Sequence, residues 1–171
     1  MLKLLCPDLY IESIYKLDLH YIKKKNIKGI LIDLDNTLLP WDSICIEDRL
    51  MNWVNHCLKQ GFSLCIISNN KYHRIKHCAE RLGIPAVSGS LKPCKKAFKK
   101  DLDILGTQPE QTAVLGDQIF TDILGAKRMG LYAILVKPMS SRELYWTRIM
   151  RRLERQLLKL LENKKLISLN R

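Results

Sequence analysis

Seven polar residues stand at the ends of apolar segments, where their types and spacing suit a common site. They are Asp33, Asp35, Ser68, Asn69, Lys92, Asp117 and Asp122. Carboxylates that gather beside a buried segment repel one another, so such a cluster requires a positive partner. Carboxylate oxygens favour Mg²⁺, which proteins hold with few carboxylates together with water and a substrate phosphate. The sequence therefore predicts a Mg²⁺ site at which a phosphate-bearing ligand binds.

The pair Asp33 and Asp35 has the spacing that a carboxylate nucleophile and a proton carrier need. A carboxylate can act as the nucleophile and form an aspartyl-phosphate. A second carboxylate two positions along an extended chain points to the same side. It can then protonate the leaving oxygen and afterwards activate water. We expect phosphoryl transfer, which depends more on charge neutralisation and alignment than on elaborate covalent chemistry.

Apolar runs that alternate with helical patterns must position these residues. The runs GILID, FSLCIIS, TAVLGD and LYAILV predict buried strands at 29–33, 62–68, 112–117 and 131–136, and PAVSGS predicts a short fifth strand at 85–90. Helical patterns lie near 46–60, 71–82, 94–105 and 120–129. Short strands that are apolar on both faces are typical of a parallel sheet covered by helices. We expect an α/β fold with a Rossmann-like, doubly wound parallel sheet.

This sheet should occupy a core of about residues 27–137 within one domain spanning 1–171. Residues 7–26 and 138–165 show helical patterns outside the alternating core. In open α/β sheets, ligands bind beyond the carboxyl ends of the strands. All seven polar residues fall at or shortly after such ends. Lys92 precedes Pro93, and proline favours the first position of a helix.

Four segments, in this order, resemble the motifs of the haloacid dehalogenase-like (HAD) superfamily. DLDNT is similar to the first motif, D-x-D-x-T, and IISNN, SLKP and GDQIFTD resemble the second, third and fourth. The segments fall within residues 29–136, which is most of the chain. The details SNN, KP and GDQ-x-x-TD are similar to subfamily III (IIIA) phosphatases. The resemblance is strongest to the group related to phosphatidylglycerophosphate phosphatases.

The resemblance implies a role for each matching residue. Asp33 would be the nucleophile and a Mg²⁺ ligand. Asp35 would be the general acid and base, with its backbone carbonyl on the metal. Ser68 would bond the phosphoryl group, and Lys92 would neutralise it and orient Asp33. Asp117 would bind the metal. An acid at the position of Asp35 favours a phosphatase or phosphotransferase over the dehalogenases and ion pumps of the superfamily.

Three other assignments leave alternatives open. The resemblance places Asp122 in or beside the metal site, but an N-cap role for its helix fits as well. Asn69 either binds phosphate or caps a helix. His73, His77 and Cys78 have a spacing that can bind zinc, although a helix surface explains them without a metal.

The segments between the motifs have no room for a cap domain. About 30 residues separate the first and second motifs, and Lys92 lies 24 positions after Ser68. Members of the superfamily that select small metabolites usually carry a cap. An uncapped, open site suits a macromolecule or a headgroup on a membrane.

Positive charge concentrates near the C-terminus. The net charge is +12, and residues 137–171 hold ten Lys or Arg against three acidic residues, a net charge of +7. A helix predicted at about 141–165 carries an apolar face opposite a basic one. The apolar face holds Trp146, Ile149, Met150, Leu153, Leu157, Leu160 and Leu161, and the basic face holds Arg148, Arg151, Arg152, Arg155 and Lys159.

Three interpretations of this helix stay open. It can bind an anionic membrane surface. It can dock its apolar face on the sheet and leave its arginines in solvent. It can bind nucleic acid, although the sequence holds no RNA-binding motif.

The remaining features concern location and function. No apolar stretch is long enough to span a bilayer, and the first ten residues lack the apolar region of a secretory signal. We therefore expect a cytoplasmic protein that can associate peripherally with the inner face of an anionic membrane. Six cysteines without a C-x-x-C pattern predict free thiols.

The function that the resemblance implies, assisted by the open site and the basic helix, is Mg²⁺-dependent hydrolysis of phosphatidylglycerophosphate through an aspartyl-phosphate, with an anionic phospholipid as the partner. The alternative is a binding module or a regulatory phosphatase. Such a protein would act on RNA, on a ribosomal or GTPase partner, or on a phosphoprotein or nucleotide.

Overall fold

Six short strands form one parallel sheet in this protein, whose computed structural model describes residues 2–69, 72–140, 145–164 and 166–167. The strands are β1 (Leu9–Ile11), β2 (Gly29–Asp33), β3 (Ser63–Ser68), β4 (Ala86–Ser88), β5 (Thr112–Gly116) and β6 (Tyr132–Val136). The helices are α1 (Leu19–Lys24), α2 (Asp48–Lys59), α3 (Tyr72–Leu82), α4 (Lys95–Leu105), α5 (Leu124–Met129) and α6 (Tyr145–Asn163). The predicted α/β class and the short strand within 85–90 are confirmed.

Apolar side chains on both faces of the sheet hold the helices in place. Along β2, Ile30 and Ile32 point to the face covered by α2 and α3, where Leu50 and Val54 are fully packed. Leu31, between them, points to the opposite face, which packs against α4 and α5. Because both faces are covered, the strands are apolar throughout rather than alternating, as a buried parallel sheet requires.

The strand order reverses between β2 and β5. The sheet has the order β1-β6-β5-β2-β3-β4, and all its neighbouring strands are parallel. From β2 the chain moves outward to β3 and β4, then returns to β5 on the other side of β2. A crevice forms at such a reversal, at the carboxyl ends of the two central strands. Asp33 ends β2 and Asp117 follows β5, so the topology alone brings these carboxylates together.

Two local predictions were wrong. Residues 7–26 were expected to be helical, and Leu19–Lys24 is helix α1, but Leu9–Ile11 forms the edge strand β1 beside β6. This edge offers hydrogen bonds that no local pattern reveals, and Asp8 secures the strand by accepting from the Ala133 backbone N–H at 2.8 Å. Pro93 does not begin α4, because the helix starts at Lys95 and residues 92–93 form a turn.

The C-terminal helix α6 packs on the rest of the protein with polar residues turned inward, rather than with its whole apolar face docked. Its buried side chains are Glu154 and Leu161, and Arg151 is nearly buried. Three apolar residues of the predicted docking face remain 41–47% exposed, namely Met150, Leu153 and Leu160. The helix is therefore anchored by the polar contact of Arg151 and Glu154 together with Leu157, Leu158 and Leu161, and it leaves part of its apolar face in solvent. The side chain of Trp146 lies outside the described residues.

One buried carboxylate lies on α4. Asp101 is fully buried, and neither of its carboxylate oxygens has a hydrogen-bond partner among the described residues. Burial raises the pKa of Asp101 to about 6, although the charges of Lys92 and Lys100 oppose this. A carboxyl whose pKa is raised in the folded state makes the protein lose stability as pH rises from the unfolded-state pKa to the folded-state value, and the loss is complete above it.

We therefore expect Asp101→Asn to gain stability over the wild type as pH rises. The gain should grow by about 2 kcal/mol between pH 4 and 7, because the wild type loses stability as Asp101 ionises. Urea unfolding at several pH values measures it. The control is Asp103→Asn, an exposed carboxylate on the same helix. An equal pH dependence in the two variants would contradict the assignment.

Candidate active site

A buried lysine joins two carboxylates at the centre of the crevice. Lys92 Nζ donates to Asp33 Oδ1 and lies 2.7 Å from Asp122 Oδ1. All three side chains are at least nine-tenths buried. Burial alone would lower the pKa of Lys92, but the charges of Asp122 and Asp33 outweigh it and raise that pKa. Lys92 is therefore a fixed positive charge beside Asp33.

A close approach between Asp122 and β5 makes this arrangement possible. Asp122 lies in a π-helical turn, Ile119–Ile123, that precedes α5, and its Oδ2 accepts from the Gln118 N–H at 3.1 Å. A Cβ on Gly116 would lie 2.4 Å from Asp122 Cγ, so only glycine fits there. Asp122 is thus inside its helical turn rather than at its N-cap, and its carboxylate faces the crevice.

Three buried carboxylates are grouped closely enough to hold one cation. Oxygens of Asp33, Asp117 and Asp122 lie within 4.8 Å of one another. Asp117 Oδ1 is buried and has no hydrogen-bond partner within the described part of the chain. A buried carboxylate oxygen without a donor is costly unless a cation joins it. The residues therefore fit a divalent metal ion with oxygen ligands.

Two carboxylates of this cluster, Asp33 and Asp117, have raised pKa values. Burial raises the pKa of Asp33 to about 6, where Lys92 opposes the shift and Asp122 adds to it. Burial also raises the pKa of Asp117 well above its usual value, despite the charge of Arg151. The raised pKa values of Asp33 and Asp117 indicate that the cluster lacks enough positive charge for its three carboxylates.

Asp35 faces the same crevice because the chain turns sharply after it. Asn36 adopts a left-handed backbone conformation with φ of 61°, which asparagine tolerates better than most residues. Ser68 Oγ donates to Asp35 Oδ2 at 3.3 Å, and the guanidinium of Arg74 pairs with Asp35 Oδ1. Arg74 also donates to the Pro40 carbonyl at 2.6 Å, so it ties the loop after β2 to α3.

Asn69 holds the backbone that carries Lys92. Its Oδ1 accepts from the Lys92 N–H at 2.9 Å, and its Nδ2 donates to the Lys92 carbonyl at 3.4 Å. Ser90 Oγ donates to the same Asn69 oxygen at 3.3 Å. The contacts that the structure shows for Asn69 are therefore those of a residue that positions Lys92, rather than those of a helix cap.

The C-terminal helix contributes a side chain to the cluster. The guanidinium of Arg151 donates to both the carboxylate and the backbone carbonyl of Asp117. Arg151 Nη1 also lies 3.0 Å from Glu154 Oε2. Glu154 in turn accepts from the Ile119 N–H at 2.6 Å, at the start of the π-helical turn. Arg151 was expected on a solvated basic face, but the buried Asp117 carboxylate attracts it inward.

Sequence reasoning missed Arg74 as well as the inward roles of Arg151 and Glu154. Arg74 lies in the first turn of a helix rich in polar residues, where nothing local distinguishes it. Glu154 offered a signal, because it is the one acid among the fifteen residues from Tyr145 to Lys159. A lone acid in a basic helix indicates a pairing partner.

The predicted residues converge on one cavity of about 270 Å³. Five of the seven line it, namely Asp33, Asp35, Ser68, Asn69 and Lys92. Asp117 and Asp122 complete the carboxylate cluster beside Asp33. The zinc interpretation receives no support, because Cys78 belongs to the apolar core whereas His73 and His77 are exposed.

The fold is similar to that of a solved structure, a putative HAD superfamily (subfamily III A) hydrolase from Legionella pneumophila. The TM-score is 0.52 and the identity 20%, over 83% of this chain and 86% of the other. At that identity the likeness shows the fold.

Sequence similarity then defines the family. Residues 2–139 match the family described as mitochondrial PGP phosphatase. The probable phosphatase YqeG of Bacillus subtilis is 38% identical over 162 residues, which cover 95% of this chain and 94% of that protein. The phosphatidylglycerophosphate phosphatase 1 of Arabidopsis thaliana is 27% identical over 163 residues, 90% of this chain but 47% of the plant protein. The chain belongs to this PGP phosphatase family, and it is a phosphoric monoester hydrolase.

We expect Arg151 to compete with a divalent cation for Asp117. In Arg151→Met the buried Asp117 loses its partner, so the metal-free protein should lose about 3 kcal/mol of stability. The stabilisation by Mg²⁺ should grow by roughly 1 kcal/mol, since the ion no longer displaces a guanidinium. Urea unfolding with and without Mg²⁺ measures both. Lys159→Gln, which removes an exposed charge from α6, should change neither. The same Mg²⁺ response in Arg151→Met and the wild type would rule out competition.

Proposed function

We propose that the protein is a Mg²⁺-dependent phosphatase that hydrolyses phosphatidylglycerophosphate through an aspartyl-phosphate on Asp33. The observation that carries this proposal is the fixed contact of Lys92 with both Asp33 and Asp122. It places a permanent positive charge beside a carboxylate that faces an open cavity. The nearby Asp35 can carry the proton that such a reaction moves.

Each step follows from the chain's own residues. The Asp33 carboxylate attacks phosphorus, and the bond between phosphorus and the glycerol oxygen breaks as Asp35 gives that oxygen a proton. Water then attacks the phosphorus of the aspartyl-phosphate while Asp35 takes a proton from it. Phosphate leaves and Asp33 is restored. Lys92 offsets the charge of the phosphoryl group, and Mg²⁺ held by Asp33, Asp117 and Asp122 would supply further neutralisation.

The choice of lipid substrate has two supports. The family and the Arabidopsis relative are both named for phosphatidylglycerophosphate. Among the described residues no cap domain covers the cavity, because residues 34–62 add only a loop and α2, and those between Ser68 and Lys92 add only α3 and β4. A headgroup that projects from a membrane can enter such a site without a lid.

The substrate can be tested by phosphate release in the presence of Mg²⁺. The panel consists of phosphatidylglycerophosphate in mixed micelles, a nucleotide, a sugar phosphate and a phosphopeptide, each also assayed with EDTA. We expect the lipid to give the highest kcat/KM and EDTA to abolish release. A higher kcat/KM for another phosphomonoester would refute the lipid substrate, and undiminished release in EDTA would refute the metal requirement.

The exposed surface of α6 supports binding at a membrane. Its apolar residues Met150, Leu153 and Leu160 lie in solvent, on the same helix as a separate basic sector. A helix that exposes apolar side chains on one face and cationic side chains on another is typical of helices that lie in a bilayer interface. None of the helices in the described segments is long and apolar enough to cross a bilayer.

We expect the protein to sediment with vesicles that contain phosphatidylglycerol, and much less at high salt. Each basic residue near an anionic surface contributes about 1 kcal/mol, which salt screens. Four exposed basic residues of α6 are changed to Gln together: Arg148, Arg152, Arg155 and Lys159. This variant should lose the binding, whereas a variant with Lys95, Lys96, Lys99 and Lys100 of α4 changed to Gln should keep it. Salt-dependent binding to RNA but not to vesicles would favour the RNA partner.

A further inference from the structure

A second cavity lies directly beside the candidate active site. It has a volume of about 490 Å³ and opens between β6 and α6. Its walls are mostly apolar, with Leu135, Val136 and Leu158 among them, while arginines from α6 line its other side. We call it the arginine cavity, after Arg148, Arg151, Arg152 and Arg155.

The two cavities adjoin along two stretches of chain. Gln118 lines the active-site cavity, and its neighbour Asp117 lines the arginine cavity. Likewise Thr147 lines the first and Arg148 the second. Asp117, which lines the arginine cavity, has a carboxylate oxygen within 4.8 Å of one of Asp33. The position of the phosphomonoester at Asp33 and the arginine cavity are therefore only a few atoms apart, within the reach of a substrate that extends from one to the other.

The charges within the cavity select an anion. Its carboxylates, Asp117 and Glu154, are both bonded by Arg151. Arg152 and Arg155 form no ion pair with a carboxylate in the segments that the structure describes. Guanidinium groups bind phosphate oxygens with paired hydrogen bonds and are weakly hydrated, which suits a partly apolar site.

We infer that the arginine cavity binds the inner phosphodiester and the first acyl carbons of the lipid substrate. This inference rests on the proposed function. Phosphatidylglycerophosphate carries its phosphodiester one glycerol unit from the phosphomonoester, and the acyl chains follow directly. Arg152 and Arg155 bind the diester, and the apolar wall at Leu135 and Leu158 contacts the lipid chains. The cavity thereby gives an uncapped phosphatase its selectivity for a phospholipid.

Binding of a product-like lipid tests the cavity without any hydrolysis. The probe is dihexanoyl-phosphatidylglycerol at concentrations where it is monomeric, titrated calorimetrically into the full-length protein. It carries the diester and two short chains but no phosphomonoester. We expect Arg155→Gln and Arg152→Gln each to weaken binding about tenfold, since a charge-assisted bond to phosphate is lost. Lys99→Gln is the control, because this exposed residue of α4 does not line the cavity.

A second probe distinguishes binding through the phosphodiester from binding through the acyl chains. Dihexanoylglycerol, which lacks the diester, should bind weakly and equally to the wild type and to Arg155→Gln. In turnover, the ratio of kcat/KM for dihexanoyl-phosphatidylglycerophosphate to that for p-nitrophenyl phosphate should fall about tenfold in Arg155→Gln. The same ratio should be unchanged in Lys99→Gln.

The outcomes keep this inference distinct from the proposed function. Arg155-dependent binding of dihexanoyl-phosphatidylglycerol, without phosphate release from the phosphorylated lipid, would support the cavity and refute the substrate. Release from that lipid with equal losses of probe binding in Arg155→Gln and Lys99→Gln would overturn the cavity and keep the substrate. A wild type that does not bind the probe at millimolar concentration would also overturn the cavity.

Discussion

Replacing Asp33 with asparagine is expected to lower kcat by at least about 10⁴-fold, because asparagine has the same shape but no anionic oxygen to attack phosphorus. The fold should survive the change. Lys92 would keep Asp122 at 2.7 Å, so no buried charge loses every partner. Burial raises the pKa of Asp33 to about 6, which means that the ionised form destabilises the metal-free protein at pH 7. The variant should therefore unfold at a temperature no lower than the wild type.

The chemical intermediate gives this prediction a second measurement. Intact mass spectrometry after an acid quench should find a phosphorylated fraction in the wild type during turnover and none in Asp33→Asn. Asp33→Ala should behave in the same way, and it excludes activity regained by hydrolysis of the asparagine side chain. A folded Asp33→Asn protein whose turnover lies within tenfold of the wild type would remove Asp33 from the nucleophile's role.

The sheet could be predicted because its signals are local. Runs such as GILID and TAVLGD are short, apolar throughout and separated by helical patterns, and those features alone distinguish a covered parallel sheet. The edge strand β1 could not be predicted in this way. Its three residues become a strand only because the free edge of β6 offers hydrogen bonds, and a sequence window around Leu9–Ile11 contains no trace of that partner.

The residues of the candidate site also differ in whether a local sequence signal could predict them. Asp33, Asp35, Ser68 and Lys92 were recognisable because each stands at a strand end or next to one. Their convergence then follows from the reversal of strand order between β2 and β5.

The residues that neutralise the site arrive from elsewhere in the chain. Arg74 comes from the side of α3, and Arg151 comes from a helix more than thirty residues beyond Asp117. The helical periodicity of α6 identifies only its apolar face, and it therefore predicts that Arg151 lies in solvent. The buried Asp117 carboxylate is distant in sequence, and its need for a positive partner decides the orientation of the helix.

The need of the buried Asp117 carboxylate for a positive partner also explains why α6 leaves apolar residues in solvent. Turning Met150 and Leu153 inward would rotate Arg151 away from Asp117 and Glu154 away from the Ile119 N–H. Truncation of one partner in such a buried pair costs about 3–5 kcal/mol, more than burial of one Leu or Met side chain contributes. The polar anchor therefore determines the rotation of the helix, and the exposed apolar stripe is its consequence. That stripe and the arginine cavity lie on opposite flanks of one anchored helix.

Replacing Asp35 with asparagine is expected to slow turnover of phosphatidylglycerophosphate by roughly 10² to 10⁴, the usual contribution of a general acid and base. The glycerol oxygen is a poor leaving group, so its release needs the proton that Asp35 gives. With p-nitrophenyl phosphate the first step needs no proton, and only the later attack by water should be slow. The variant should then release nitrophenol in a burst of about one equivalent per enzyme and accumulate phosphorylated Asp33.

Stopped-flow absorbance and acid-quench mass spectrometry measure the burst and the phosphorylated protein. Asp42→Asn is the matched control, because Asp42 is an exposed carboxylate of the same loop and should show no burst beyond that of the wild type. Accumulation of the intermediate in Asp35→Asn is the sharper result, because it isolates the second step, in which Asp35 takes a proton from water. If activated and lipid phosphoesters lose rate equally and no intermediate accumulates, Asp35 does not transfer the proton in either step.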